Sequence, residues 1–232
     1  MTLLTTIQGA CDRIGLSRPS AVVSSSDQQV RELLALANEE GMELSRRADW
    51  QALTKEQTFT SLAQETQTSM VPADYDRFVS DTFWNRTRKR AFQGPVTSQD
   101  WQYIKAMTTA PLPEVFIYRG NDILIQPVPT AGDTFAFNYV SKNWCQSSGG
   151  TAQDAWAADT DTGLLPERLI TLGTVFRWKA MKGLSADIDG AMYDTQVRQA
   201  LLRDKPARTL NMAGEGMDRR PGIFVPEGDW SL

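Results

Sequence analysis

The chain has 232 residues, 41% apolar and 22% charged, and a net charge of −4. That length holds one domain with an insertion or two small domains, and the acidic balance argues against a general nucleic-acid binder. It contains no histidine, which removes the commonest general base, the Ser–His and Cys–His nucleophile pairs and most zinc sites.

No window approaches the roughly 18 apolar residues of a membrane span. The first residues, MTLLTTIQGACDRIG, have neither a basic start nor a long apolar run, so they do not read as a secretory signal. Cys11 and Cys145 are the only cysteines. Two distant cysteines make no disulfide framework and read as reduced thiols of a protein assembled in the cytoplasm.

In chain order, residues 2–15 predict a short helix with Leu3, Leu4, Ile7, Ala10, Cys11 and Ile14 on one side. A polar loop follows around Ser17–Ser26. Ser26 then caps a long helix from about Asp27 to Trp50, with Val30, Leu33, Leu34, Ala37, Gly41, Leu44 and Ala48 in one stripe. After Trp50 the composition turns to Thr, Val and aromatics, with turn signals at Pro72–Asp74, Gly94–Pro95 and Gly132–Asp133. Strands are expected at Glu114–Arg119 and Ile123–Gln126 around a Gly120-Asn121-Asp122 turn, and at Thr134–Val140. Ser98–Met107 reads as a short helix between strands.

A Gly/Ser/Asp-rich connection, 146–163, leads to a helix whose boundaries are legible. Asp161 or Thr162 is expected to cap it, Pro166 suits its first turn, and Arg177, Lys179 and Lys182 crowd its negative end before Gly183. Ile170, Leu172, Val175, Trp178 and Met181 spread over faces other than the Leu169–Gly173–Phe176–Ala180 stripe. A helix apolar nearly all round is not built to face water, so neighbouring subunits are expected to cover it. A last helix at Asp187–Arg203 is expected to pair antiparallel through Ile188, Met192, Val197 and Leu201. Beyond Lys205, glycines and prolines break any pattern, yet Ile223, Phe224, Val225 and Trp230 remain. Such a segment suits an arm that orders on a partner.

The expected fold is therefore α+β. It is a helical bundle (1–53 and 146–204) with an inserted small antiparallel β domain (54–145) and an extended C-terminal arm (205–232).

Candidate chemistry is thin. Asp159-Thr160-Asp161-Thr162-Gly163 begins like a calcium loop, but positions six and twelve are Leu164 and Ile170 where glycine and glutamate are required. No metal or cofactor is expected. The close carboxylate pairs, Glu39/Glu40, Asp74/Asp76 and Asp159/Asp161, read as solvated faces rather than opposed acid and base. Arg86, Arg88, Lys89 and Arg90, preceded by Phe83-Trp84, form the densest basic run and a possible DNA or protein contact. The seven tryptophans are scattered and read as core or interface anchors rather than a sugar-binding platform.

Several pieces in order resemble the head–tail adaptor (connector) proteins of tailed bacteriophages, those of short-tailed phages in particular. They are Asp49-Trp50, Gln57-Thr58-Phe59-Thr60, Val71-Pro72-Ala73-Asp74-Tyr75-Asp76-Arg77, Phe83-Trp84-Asn85-Arg86-Thr87, Gly94-Pro95 before Trp101-Gln102, and Arg119-Gly120-Asn121. Phe137 to Trp144, Asp159 to Thr162, Leu165 to Leu169, Arg177-Trp178-Lys179, Lys182-Gly183-Leu184 and Ala207 to Met212 complete the series. The resemblance spans roughly Leu3 to Gly214. It implies a structural virion protein rather than an enzyme. Such adaptors form a ring, usually of twelve copies, on the portal protein at the head–tail junction. They join it to tail proteins and extend the channel through which genomic DNA passes without specific binding. It also implies a C-terminal arm against the portal, here carried by Arg219, Arg220, Ile223, Phe224, Val225 and Trp230. Two other classes remain as alternatives: a virion-associated cell-wall hydrolase, and a DNA-binding packaging or head-completion factor.

Overall fold

A computed structural model describes residues 2–106 and 114–204. They form two compact units, a helical one (2–54 and 141–204) and a β-rich one (55–140). The fold is α+β, as expected. The return to the helical unit comes five residues earlier than the predicted boundary. Trp144 and Cys145 are fully buried there, and Trp144 lies against Gly41 and edge-on to Trp156.

The helical unit holds α1 (Leu3–Ile14), α2 (Gln28–Arg47), α4 (Glu167–Met181) and α5 (Asp187–Asp204), with a single 3₁₀ turn at Gln51–Leu53. Helix α1 starts at a reciprocal Thr2/Thr5 capping box and stops at Gly15, whose φ of +77° is the left-handed geometry glycine adopts without strain. Its Leu3, Ile7, Ala10 and Cys11 are buried. The cap of α2 is Asp27, which accepts from Gln29 N–H at 2.9 Å, one residue beyond the predicted Ser26. The helix ends at Arg47, and Trp50 turns back so that its indole donates to Leu44 O at 2.8 Å.

The α4 cap is a correction. Pro166 occupies the cap position and no side chain caps the helix. Asp161 instead accepts from Ala157 and Ala158 N–H (2.8 and 2.7 Å), tying its own loop. The fate of α4's surface is a larger correction. Ile170, Leu172, Val175 and Trp178 are 0–8% exposed within the single chain, because α1, α2 and α5 all pack on α4. Three neighbours cover the helix without a second subunit, and only Met181 of the five stays exposed. The α5 stripe is corrected as well. Tyr193 and Val197 are buried, whereas Ile188 and Met192 face outward. Small strands β9 (Cys145–Gln146), β10 (Ala152–Gln153) and β11 (Thr162–Gly163) form an antiparallel sheet in this unit.

The β unit contains β1 (Thr54–Thr60), β2 (Thr66–Gln67), β3 (Tyr75–Phe78), β4 (Trp84–Asn85), β5 (Arg90–Ala91), helix α3 (Ser98–Ala106), β6 (Val115–Arg119), β7 (Asp122–Gln126) and β8 (Thr134–Ser141). One sheet runs β1-β8-β4-β5 with β3 also on β8, and another runs β2-β7-β6. The β6–β7 hairpin registers Arg119 opposite Asp122, so the turn is Gly120–Asn121 and Asp122 belongs to the strand. Gly120 sits at φ +61°, as the first position of a type II′ turn requires. Period-two alternation on β8 sends Phe135, Phe137 and Tyr139 into a core shared with Phe59, Phe83, Phe92 and Phe116. These rings meet mostly edge-to-face, for example Phe83 on Phe116 at 4.6 Å and 76°. Each such buried ring contributes about 1.5–3 kcal/mol by burial alone.

Candidate functional site

Within the helical unit, charge is concentrated at one buried point. Glu40 on α2 is fully buried and faces Gly173 of α4 so closely that any side chain there would strike its carboxylate. Arg177 of α4 reaches it with Nε at 2.7 Å, and also binds Glu39 (2.9 Å) and Glu43 of α2. Tyr193 of α5 donates its hydroxyl to Glu40 from the other side. Burial pushes the Glu40 carboxyl above its usual range, against the opposing pull of Tyr193 and Arg177. Burial works against the Arg177 charge too, but its glutamates prevail and raise it. A carboxylate whose oxygens are taken by an arginine and a tyrosine has no lone pair aimed at a substrate. This cluster is a clasp that joins three helices.

The other carboxylate pairs are structural as well. Asp74 accepts from Lys55 (2.6 Å) and Tyr139 (2.9 Å), and Asp76 pairs with Arg77 at 2.6 Å. Asp159 takes the Val22 and Val23 N–H groups. Both cysteines are free and buried, and burial beside Asp161 and Asp154 pushes the Cys145 thiol up to about 12. Among the described residues no group of three or more His, Cys, Asp or Glu could hold a metal. None of their helices is long and apolar enough to cross a membrane.

The basic run is largely neutralised. Arg86 pairs with Glu56 at 2.5 Å, Arg88 with Asp133 at 2.8 Å and Arg90 with Glu114 at 3.5 Å, while Lys89 sits part-buried in the turn before β5 with φ +56°. Three of the four cations thus have a carboxylate at hand, leaving little positive field for a phosphate backbone. The arm residues Arg219, Arg220, Ile223, Phe224, Val225 and Trp230 lie outside the described residues.

Two surface features were not foreseen. On the outer face of α5, Ile188 is 82%, Met192 38% and Leu202 81% exposed, and Met181 and Leu184 are exposed at the α4–α5 corner. At 100° per residue these three α5 positions share one side, opposite Tyr193 and Val197. In the β unit, an open groove of about 450 Å³ lies on the solvent side of the β1-β8-β4 sheet.

Comparison with known proteins does not extend this picture: no family model matches the chain, and no curated protein is significantly similar to it.

Proposed function

We propose that this protein is a structural virion component, a head-to-tail adaptor. Its copies form a ring, twelve in number by family resemblance, that seats on the portal, joins it to tail proteins and extends the DNA channel. It is assembled in the host cytoplasm and resides in the virion neck. The ordered series of sequence pieces supports the reading, and those pieces fall on framework positions. Trp50, Trp101 and Trp144 are buried, Asp74 and Asp161 tie loops, and Arg177 closes the helix clasp.

The observation that carries the ring is the apolar row on α5. A helix whose inner face is already satisfied by Tyr193 and Val197 gains nothing by showing Ile188, Met192 and Leu202 to water. Covering them against the next copy removes that cost, and a closed ring repeats the contact on every subunit. The subunit contact therefore belongs on the outer face of α5 and the α4–α5 corner rather than on α4. The acidic net charge suits a conduit that must not grip DNA.

The test is to mix the full-length protein with its cognate portal protein and image the mixture by electron microscopy, with each protein alone as control. A ring stacked on the portal is the expected result. A chain that stays monomeric and never associates would overturn the adaptor reading. A packaging factor would instead show DNA affinity that falls steeply with salt.

A further inference from the structure

The groove in the β unit has a composition that neither the adaptor role nor the core requires. Glu56 comes from β1, Trp84 from β4, Arg86 from just beyond it and Asn138 from β8, with Asp81 and Thr82 from the turn that leads into β4. Trp84 is directly opposite Ala136 in the ladder. Its indole therefore stands beside a methyl group rather than a bulky neighbour, and it stays part-exposed. Every other aromatic side chain of β3, β4 and β8 packs into or against the phenylalanine core. Trp84 alone among them lines a polar groove.

The polar groups around it are of three kinds. Arg86 is held in place by its 2.5 Å pair with Glu56, with both side chains about half exposed (54% and 45%). Thr82 spends its hydroxyl on Val79 O and Asn138 N–H, which fixes the rim. The Asn138 amide and the Asp81 carboxylate show no hydrogen bond among the described residues, and Asp81 is held at φ +60°. An aromatic face flanked by a planar amide, carboxylates and a fixed guanidinium offers a flat apolar platform inside a ring of donors and acceptors. A pyranose presents the complement: one face of C–H bonds and an edge of hydroxyls that both donate and accept.

Charge decides against the rival stacking ligand. A nucleotide base also stacks on tryptophan, but it brings a phosphate. Two carboxylates, Glu56 and Asp81, face one arginine in this groove, so an anion is repelled and an uncharged polyol is not. The volume, about 450 Å³, falls within the usual range of small-ligand sites.

We propose that this groove binds a neutral saccharide, with Trp84 as the stacking platform and Asn138, Asp81 and the Arg86–Glu56 pair as hydroxyl partners. The site binds without cleaving. Glu56 and Asp81 are exposed rather than set in the apolar enclosure that a glycosidase acid needs. The inference does not rest on the adaptor reading, and saccharide binding and portal binding can fail separately.

The full-length protein, labelled with ¹⁵N, provides the readout through its indole N–H resonances, with the Trp84 signal assigned by its loss in Trp84→Phe. It is titrated with maltotriose, cellotriose and chitotriose, and with a thymidine oligonucleotide as the anionic rival. One of the neutral trisaccharides should shift the Trp84 resonance saturably while the other indoles stay still. Asn138→Ala, a surface change that leaves the core intact, should weaken that binding about fivefold, as expected for one lost hydrogen bond. The proposal is overturned if no trisaccharide moves the Trp84 resonance. It is equally overturned if Asn138→Ala binds as the parent does, or if only the oligonucleotide moves that signal.

Discussion

At the scale of single residues, the Glu40–Arg177–Tyr193 clasp shows how a sequence can look solvated and be buried. Glu39, Glu40 and Glu43 read as the polar side of α2, and two of them are exposed. Glu40 is not, because α4 approaches at Gly173 and α5 at Tyr193. No periodicity within α2 announces this, since the cause lies in helices more than a hundred residues away. The clasp has a pH signature. Replacing Arg177 by Met leaves Glu40 buried without its cation and should cost about 3–5 kcal/mol, the usual result of breaking a buried pair. Without the guanidinium, the Glu40 carboxyl rises further above its unfolded value. A carboxyl raised on folding contributes stability below its unfolded pKa and loses it as pH rises through the folded one. The Arg177→Met defect should therefore be smaller near pH 4.5 and larger at pH 7 and above. Urea midpoints of parent and variant at several pH values would check this, and a pH-independent gap would count against the clasp.

At the scale of elements, the helices were legible because their signals are local. Gly15, Asp27, Gly183 and the apolar periods mark starts and stops to within a few residues. The partner of each face was not legible. The all-round apolar surface of α4 pointed to neighbouring copies, yet α1, α2 and α5 cover it. On α5 the reverse holds: Ile188 and Met192 read as inward, but the buried side is led by Tyr193, whose hydroxyl has Glu40 to satisfy it. Burying tyrosine costs little once its polar end is paired. That single pairing turned the helix over. If the outward row is the ring contact, Ile188→Glu with Leu202→Glu should leave the thermal transition within about 1 kcal/mol of the parent, since both sites are exposed. The same change should abolish ring formation on the portal, scored by electron microscopy. A double variant that still forms rings would place the contact elsewhere.

At the scale of the whole molecule, the chain leaves the helical unit after Thr54 and returns at Ser141, so the β unit is one continuous insertion. Residues 205–232 hold four glycines and three prolines, too few apolar groups in too flexible a backbone to build a core. Deleting 206–232 should abolish docking on the portal in a co-sedimentation assay. The circular dichroism spectrum should keep the helix content of α1 to α5. A truncated protein that docks normally would remove the arm from the mechanism.

Read alone, the sequence determined the fold class, the insertion of a β unit between helices, the hairpin at Gly120 and most helix boundaries. It also made histidine-based chemistry impossible. These follow from composition and from periods short enough to be seen within one element. Only the tertiary structure decided that α4 is buried by its own chain, that Glu40 is locked between Arg177 and Tyr193, and that the basic run is paired with Glu56, Asp133 and Glu114. It also singled out Trp84 from seven tryptophans as the one lining the polar groove of the β unit. Each of these depends on residues far apart in the chain meeting in space, and composition and spacing carry no record of which distant groups will meet.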